Sequence, residues 1–566
     1  MTEQNIIISL IVVGIFVAAA VIMIRDKRRH RRWVRGELQK MWGSVATREY
    51  TSEELESIYS YTKKHRDGRF WVDDITWNDL NMEQFFILLN TTVSSCGEDV
   101  LYKMLRVPEF DQDVLDERNR LIEYFRTHEK ERIQIQFVLR EIRKMSNMSI
   151  YDYIDVLKNV EQKDSGKYIA MALATVVAIV SIFMQPVFGV LFLVVVMSVN
   201  GSIRMKNSKK MEPYLNCMIC ILRMLKASDG FEKVKNPEIQ KQLDIIGNGR
   251  KQMKNFRRGA YLVAASTSIQ DGLETMFISY LKLLFHVDFI KFYSMVKQVN
   301  GHEKEIDAMF TAMGEMDACI AIASFREFLP YYCLPSLEKK DMGKKVSLEI
   351  TDMYHPMIDH PVANSIAIYG GVLVTGSNAS GKSTFLKNIA LNGILAQTIY
   401  TCTAHKYRAD FLKVMTSMAL RDNLEGGESY YMVEIKSLQR ILNEAKKEEA
   451  LLCIVDEVLR GTNTIERIAA SSRILRSLVM PHVLPLAATH DIELSYILEN
   501  AYANYHFDED IREKDVCFTY ILKLGRATSR NAIKLLEIIG YDKNIIDDAM
   551  QAARAFEQTG EWRNLC

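Results

Sequence analysis

The sequence predicts a multidomain chain in which a helical N-terminal part with transmembrane helices precedes an α/β domain at the C-terminus. The first observation behind this prediction is an uncharged apolar stretch at Ile6–Ile24. The second is the helical spacing of apolar residues through the soluble parts of Glu37–Leu337. The third is a glycine-rich loop, GSNASGKS at Gly376–Ser383, with a predicted strand before it and a predicted helix after it.

The composition indicates a folded protein of ordinary character. A chain of 566 residues accommodates about three to five domains. Hydrophobic residues make up 48% and charged residues 25%, which excludes a disordered chain and a wholly membrane-embedded one. The net charge of +1 gives no overall electrostatic indication of nucleic-acid binding.

The nine cysteines are scattered along the chain, with one close pair at Cys217 and Cys220. A C-x-x-C pair can form half of a zinc site or a redox pair. The flanking residues are apolar and no second pair follows, which favours buried core thiols. The scattered set suits a reducing compartment.

The stretch Ile6–Ile24 is long enough to cross a bilayer as one helix. A signal peptide is the alternative, but MTEQN lacks the positive charge such a peptide needs, and no small-residue cleavage site follows. The basic run Arg25–Arg35 marks the cytoplasmic side instead. Residues 1–36 are therefore predicted to be a transmembrane anchor with a basic cytoplasmic flank.

A second apolar stretch, Tyr168–Val199, is broken near its middle by Gln185–Pro186. Lys167 precedes it and Arg204 follows it, so positive residues flank both ends and favour a hairpin with both ends cytoplasmic. The alternative is one kinked helix, which would place the rest of the chain outside the cell. The glycine-rich loop named above has the pattern of a nucleotide-binding loop, and ATP is scarce outside the cell. We therefore expect three spans rather than two, in a multi-pass protein of the plasma membrane whose C-terminal domain is cytoplasmic.

The region 37–340 is otherwise predicted to be helical, interrupted by the hairpin at about 168–199. Phe285, Phe289 and Phe292 share one helix face, which fits a core or a partner helix better than a surface that stacks on nucleic-acid bases. The basic segment Gly249–Gly259 could contact phosphate or anionic headgroups, and a solvated helix end is the simpler interpretation.

The glycine-rich loop has the full G-x-x-x-x-G-K-[ST] pattern of a phosphate-binding loop. Its glycines let backbone N–H groups face phosphate oxygens, Lys382 reaches the β- and γ-phosphates, and the Ser383 hydroxyl is a ligand for Mg²⁺. The residues assigned to ATP binding are Gly376, Ser377, Asn378, Ala379, Ser380, Gly381, Lys382, Ser383 and Thr384.

Two further predicted strands end in residues suited to nucleotide hydrolysis. The apolar run ALLCIV begins at Ala450 and is followed directly by Asp456. Asp456 is placed to hold Mg²⁺, partly through water. Glu457 is placed to orient or deprotonate the attacking water. His490 lies at the end of another apolar strand and could sense the γ-phosphate or the water, because ligands bind at the carboxyl ends of parallel strands.

Taken together, these residues and their neighbours resemble the MutS family. The specific segments are DEVLRGTNT at Asp456–Thr464, GESYYMVEI at Gly427–Ile435, and YILKLGRATSRNAIKLLEIIG at Tyr520–Gly540. Two dipeptides that the family carries ahead of the phosphate loop, His-Pro and Ala-Asn, are also present. They lie within Tyr354–Ile358 and Val362–Asn364. The resemblance is dense from about Ser347 to Ala555, and it is fainter at Leu89–Phe125.

The resemblance implies a fold, a site and partners. Residues 341–566 would form a MutS-like ABC-type ATPase domain with C-terminal dimerisation helices, and region 37–340 a MutS-like helical core and lever domain. The cofactors would be ATP and Mg²⁺, and Ser429 of one subunit would act in trans on the γ-phosphate held by its homodimer partner. DNA, by family mismatched DNA, is the implied ligand.

The sequence departs from the family pattern in three places. Ser377 and Ala379 stand where the family usually has Pro and Met, and Pro361 stands where it often has an aromatic residue against adenine. The chain is also expected to lack the family's N-terminal mismatch-recognition domain. The expected function is a membrane-anchored ATPase whose dimer drives lever or clamp motion on DNA. The alternative is a membrane-bound mechanical ATPase acting on a protein or envelope partner, and a transporter subunit fits less well.

Overall fold

The computed structural model describes residues 3–144, 149–151, 154, 157, 165–260, 263, 280–339, 344–377, 380–418, 430–459, 462–512, 515–527 and 532–562. The chain forms two compact units. The first contains Met1–Gly68, Phe86–Met104 and Glu117–Phe328, and the second contains Arg69–Phe85, Leu105–Asp116 and Leu329–Cys566.

The described part of the chain before residue 329 is helical, and its helices are numbered in chain order. They are α1 (Glu3–Met41), α2 (Ser52–Lys64), α3 (Asp74–Asp79), α4 (Met82–Leu89), α5 (Ser95–Arg106), α6 (Gln112–Thr127), α7 (Glu129–Leu139), α8 (Ser165–Met184), α9 (Pro186–Phe231), α10 (Gln240–Gln252), α11 (Lys254–Arg257), α12 (Val287–Gly301) and α13 (Glu303–Phe328). A short 3-10 helix covers Pro237–Ile239.

Helix α13 lies in the core of the first unit. Its length and composition would also allow a membrane span, but 83% of its most apolar stretch is buried inside the protein. At its crossing with α5, the buried Asp317 carboxylate accepts hydrogen bonds from the N–H groups of Val93 and Ser94, at 3.1 and 2.9 Å. These bonds hold the start of α5, where backbone N–H groups lack partners within the helix.

The apolar stretch Tyr168–Val199 forms a helical hairpin, with its break at the predicted position. α8 ends at Met184 and α9 begins at Pro186, because proline fits the first turn of a helix but not its interior. The amide of Asn200 donates to the Thr175 hydroxyl at 3.1 Å, so α9 folds back along α8 rather than continuing as one kinked helix. α8 and the first part of α9, Pro186–Asn207, are strongly apolar, and only 17% of the most apolar stretch of each is buried inside the protein.

Helix α1 is continuous from the apolar stretch Ile6–Ile24 through the basic run that follows it. Val21, Ile22 and Ile24 are more than half exposed, as is Trp33 beyond the basic residues. Insertion of α1 and of the hairpin into a bilayer remains a prediction.

The second unit is α/β and contains two sheets. A four-stranded sheet has the order β1-β5-β2-β3, and a six-stranded sheet has the order β10-β9-β4-β8-β7-β6. The strands are β1 (Ser336–Glu338), β2 (Leu348–Met353), β3 (Asn364–Ile368), β4 (Gly371–Thr375), β5 (Lys406–Asp410), β6 (Lys413–Ser417), β7 (Leu451–Asp456), β8 (Val483–Thr489), β9 (Tyr502–Arg512) and β10 (Asp515–Leu524). The helices are α14 (Lys382–Thr398), α15 (Tyr430–Ala445), α16 (Thr464–Ser477), α17 (Ile492–Ile497), α18 (Ala532–Ile539) and α19 (Lys543–Thr559).

The six-stranded sheet carries the predicted phosphate loop. Its strands β6, β7, β8, β4 and β9 run parallel, and β10 pairs antiparallel with β9. β4 and β8 are buried at every position, which is typical of parallel strands covered on both faces. The carboxyl ends of β4, β7 and β8 therefore lie at one edge of the sheet, where ligands bind in such folds.

The second unit also includes two short segments from early in the chain. The hydroxyl of Thr416, in β6, donates to the Asp79 carboxylate at 2.6 Å, and the N–H of Met418 donates to the same oxygen at 3.0 Å. Arg440 forms an ion pair with Asp73. Helix α3 is thus joined to the edge of the sheet by buried polar contacts.

Candidate functional site

The phosphate loop connects β4 to α14 through backbone conformations that favour glycine. Gly376 has a φ of 144° and Gly381 a φ of 101°. A side chain at Gly376 would meet the carbonyl oxygen of Phe507 at 3.0 Å, and one at Gly381 would meet the ring of Tyr520 at 3.0 Å. Both positions therefore need glycine for conformation and for space.

Lys382 is buried and lies over its own loop. Its ammonium donates to the carbonyl oxygens of Gly376 and Ser377, at 2.7 and 2.5 Å. The Ser380 hydroxyl also donates to the oxygen of Ser377, at 2.8 Å. The positive charge is thus held beside the N-terminus of α14, where unpaired backbone N–H groups and the helix dipole favour an anion.

Asp456 is the last residue of β7 and lies beside the phosphate loop. The Ser383 hydroxyl hydrogen-bonds to its carboxylate, and Lys382 is close enough to interact with it electrostatically. Burial raises the pKa of Asp456, and the bond from Ser383 opposes that rise. The other carboxylate oxygen, Oδ1, is buried without a hydrogen-bond partner. A buried carboxylate oxygen beside a serine hydroxyl is the donor set that Mg²⁺ prefers.

Glu457 and His490 meet next to this carboxylate. Glu457 has a φ of 54°, and its N–H donates to the Ala488 oxygen at 3.0 Å, which turns the chain at the end of β7. His490 Nε2 contacts the Glu457 carboxylate, and Nδ1 lies 3.0 Å from the Gly376 oxygen. Both ring nitrogens of His490 therefore lie beside oxygen atoms of the site. Arg467 holds the next residue, Asp491, by two bonds of 2.8 and 2.6 Å.

A cavity of about 580 Å³ opens beside the start of α14. It is lined by Lys382, Ser383 and Thr384 at the start of α14, and by His355, His360, Pro361, Val362, Phe507 and Tyr520. Burial is the main cause that lowers the pKa of His355 to about 4, and the charge of Lys387 adds to it. Cavities of this size accommodate small organic ligands.

Tyr520 was not assigned a role from the sequence, although it begins one of the segments that resemble the family. Asn364 donates to the Tyr520 carbonyl oxygen at 2.9 Å and accepts from the N–H of Leu522 at 2.7 Å. These bonds span a register shift in β10, where Tyr520 has a φ of 54°. Asn364, the asparagine of the Ala-Asn dipeptide, thus fixes the backbone that carries the Tyr520 ring at the cavity, on a strand distant in sequence. Pro361 lines the same cavity.

Glu434 is the second residue that sequence reasoning missed. It lies in α15, within the segment GESYYMVEI, and is buried. Its carboxylate accepts a hydrogen bond from the N–H of Leu459, which lies in the segment DEVLRGTNT and has a φ of 58°. The two segments most typical of the family are therefore joined directly.

The structure brings together most of the residues predicted for the site. Gly376, Lys382, Ser383, Asp456, Glu457 and His490 meet at the carboxyl ends of β4, β7 and β8. The predicted residues Asn378, Ala379 and Ser429 lie outside the described residues.

Comparison with known proteins relates the C-terminal part of the chain to one family domain. The family profile described as MutS domain V matches residues 372–557. The chain is similar to the DNA mismatch repair protein MSH3 of Meyerozyma guilliermondii, with 27% identity over 310 residues, which is 49% of this chain and 31% of that protein. It is also similar to the DNA mismatch repair protein MutS of Microcystis aeruginosa, with 26% identity over 304 residues, which is 50% of this chain and 33% of that protein. The chain spans about a third of the length of these curated relatives, and its residues 372–557 match MutS domain V.

Proposed function

We propose that this protein is a membrane-anchored, Mg²⁺-dependent ATPase whose C-terminal domain hydrolyses ATP as a homodimer. The observation that carries the proposal is the convergence of Lys382, Ser383, Asp456, Glu457 and His490 at one edge of a parallel sheet. Proteins of the MutS family are ATPases that use Mg²⁺ and act as dimers, which supports the same assignment.

Different residues of the site would bind the phosphates, hold Mg²⁺ and activate the attacking water. The N–H groups at the start of α14 and the Lys382 ammonium would hold the β- and γ-phosphates. Ser383 and Asp456 would hold Mg²⁺, which offsets phosphate charge when bound. Glu457 would orient the attacking water and accept its proton, and His490 would hold the Glu457 carboxylate in place. Tyr520 offers a ring face to the base.

Two substitutions test these roles separately. Lys382→Ala should abolish nucleotide binding, because the loop N–H groups alone hold the phosphate charge poorly. Glu457→Gln should keep binding and lose turnover by about 10²-fold or more, since the shape of the side chain is kept while its charge is lost. The measurements are binding of labelled ATP and steady-state phosphate release by the full chain. Lys446→Ala, at an exposed position at the end of α15, is the control for a lost lysine. Equal loss of binding in both test variants would contradict the assigned roles.

The dimer is supported by apolar side chains left exposed near the C-terminus. Leu524, Ile539, Tyr541, Ile545 and Trp562 are all more than half exposed. A second copy of the chain that packed against this part of the molecule would bury these side chains. If Ser429 acts in trans, mixing Ser429→Arg protein with Lys382→Ala protein should restore part of the activity. No recovery in preparations where mixed dimers are shown to form would contradict a shared site.

Membrane anchoring is supported by the exposed apolar surface of α8 and the first part of α9, and by the exposed Val21, Ile22 and Ile24 of α1. We propose three spans in the plasma membrane, with the ATPase domain cytoplasmic. The basic run after Ile24 supports this orientation, because basic flanks stay on the cytoplasmic side.

DNA is the partner implied by the family, and the basic segment Gly249–Gly259 is the surface proposed to contact it. Two of its arginines already have acidic partners: Arg250 pairs with Glu232, and Arg257 with Asp229. We therefore expect weak, salt-sensitive binding with little preference for mismatches. Titration of homoduplex and single-mismatch duplex at about physiological salt tests this. A mismatch preference of tenfold, about 1.4 kcal/mol, would favour a repair role, and no binding would favour action on a protein or envelope partner.

A further inference from the structure

Two cysteines far apart in the sequence face each other in the second unit. Cys333 and Cys402 form an isolated antiparallel bridge. The N–H of each donates to the carbonyl oxygen of the other, at 3.0 and 2.9 Å. Residues paired in this way have Cα atoms about 5.5 Å apart, which lies within the range found for disulfides.

The two side chains are also in contact, and they differ in exposure. The Cys333 and Cys402 sulfurs are within hydrogen-bond reach of each other, and this interaction is the main cause that lowers the pKa of Cys333. The Cys402 thiol also lies 3.8 Å from the Asn392 carbonyl oxygen, to which it can donate. Cys333 is partly exposed, whereas Cys402 is buried. A partly exposed thiol with a lowered pKa reacts first, and a buried thiol in contact with it is placed to react second.

Five other cysteines have a different environment. Cys96, Cys217, Cys220, Cys319 and Cys453 are all buried. Burial raises the pKa of each of these thiols. The C-x-x-C pair Cys217 and Cys220 lies on the buried second part of α9, as its apolar flanks indicated. Such thiols are poor nucleophiles that reagents reach slowly.

We propose that Cys333 and Cys402 are a redox modification site that forms a reversible disulfide by exchange with a low-molecular-weight disulfide. The Cys333 thiolate attacks one sulfur of the small disulfide, forms a mixed disulfide and releases one small thiolate. Cys402 then loses its proton and attacks the Cys333 sulfur, which releases the second small thiolate. The two cysteines are oxidised together, and one small disulfide is reduced to two thiols.

The position of this bond gives it a structural consequence. Cys333 lies in the segment between α13 and β1, and Cys402 lies in the connection between α14 and β5. Thr403, next to Cys402, accepts from the N–H of Tyr354 at 3.0 Å and donates its hydroxyl to the Tyr354 oxygen at 2.8 Å. Tyr354 precedes the cavity residue His355. The disulfide would therefore fix the segment entering the second unit to a connection that is bonded to the cavity wall.

The test uses the full chain incubated with glutathione disulfide, then alkylated under denaturing conditions and mapped by peptide mass. We expect a linked Cys333–Cys402 peptide, restored to two alkylated peptides by dithiothreitol, and a thermal midpoint that is higher in the linked form. Disulfides that close long loops stabilise a fold mainly by restricting the unfolded chain.

Two variants separate the steps. In Cys402→Ser protein, Cys333 should stop at the mixed disulfide with glutathione, whereas in Cys333→Ser protein Cys402 should stay reduced. Cys453 is the internal control, since it is fully buried and should stay alkylatable after unfolding. Two outcomes would overturn the proposal: both cysteines fully alkylated after oxidation, or a lasting mixed disulfide at Cys333 in the unaltered chain.

Discussion

At the scale of single residues, the cavity depends on side chains that a motif search does not identify. Asn364 uses both ends of its amide to hold the backbone around Tyr520. That backbone adopts a left-handed conformation, which is uncommon for a residue with a large side chain. The cost of this conformation is offset by hydrogen bonds that set the ring against Gly381.

Tyr520→Ala should weaken ATP binding by about tenfold or more, because stacking of a base on an aromatic ring contributes about 1–3 kcal/mol. Tyr520→Phe is the matched control, since it keeps the ring and loses only the hydroxyl, and its affinity should stay close to that of the unaltered protein. The measurement is the dissociation constant of a labelled ATP analogue. Equal affinity of the alanine variant and the unaltered protein would show that the base does not contact this ring.

His355 should make the second unit less stable in acid. Burial lowers its pKa to about 4, below the ordinary value of 6.5. The unfolded chain therefore binds the proton more readily, and stability is lost as pH falls from about 6.5 towards about 4. We expect a loss of about 1–3 kcal/mol over this range. His355→Gln should flatten this part of the pH profile in thermal melts, and an unchanged slope would assign the effect to other groups.

At the scale of elements, contacts between helices decide whether a glycine within a helix can be replaced, and two glycines of the first unit differ in this respect. In α13, a side chain at Gly314 would overlap the Cys96 carbonyl oxygen and the side chain of Val100, both in α5. In α10, a side chain at Gly247 would meet nothing within 4 Å. The same residue type therefore permits close packing at one position and only lowers helix propensity at the other.

Gly314→Ala should destabilise the first unit by about 1–3 kcal/mol, since overpacking forces the two helices apart. Gly247→Ala should have the opposite sign and stabilise it by about 0.4–1 kcal/mol, because alanine restricts the unfolded chain and favours the helix. Thermal midpoints of the two variants provide the measurement. A stabilised Gly314→Ala protein would mean that α5 and α13 pack less closely than described.

At the scale of the whole molecule, the membrane prediction follows from how the apolar surface is distributed. α13 buries its apolar residues, whereas α8 and the first part of α9 expose theirs. Phe183 and Met184, at the turn of the hairpin, are 86% and 81% exposed. Apolar surface on this scale needs a partner other than water, and a bilayer supplies one.

The orientation can be measured by cysteine labelling in intact cells. A cysteine at Glu3 should react with a membrane-impermeant reagent, because three spans place the N-terminus outside. A cysteine at Lys446, exposed in the second unit, should react only after the cells are permeabilised. The reverse pattern would contradict the proposed orientation, and labelling of both positions would contradict a membrane barrier between them.

Local chemistry by itself determined several features of this protein. The break at Gln185–Pro186 follows from proline geometry, and the phosphate loop follows from glycines and a lysine at fixed spacing. Asp456, Glu457 and His490 were predictable because apolar runs mark buried strands, and the carboxyl ends of parallel strands meet at one edge. Each of these inferences needs only residues close together in the chain.

Only the tertiary structure decided the contacts between distant segments. Asn364 bonds to the strand that carries Tyr520, and the N–H of Leu459 donates to Glu434. Helix α3 lies beside β6, and Cys333 faces Cys402. All four contacts join residues that are far apart in sequence. No local periodicity encodes such pairs, because they depend on strand order and register. The physical reason is that sheet pairing and helix packing are set by the burial of the whole core, whereas motifs are set by the conformations of a few adjacent residues.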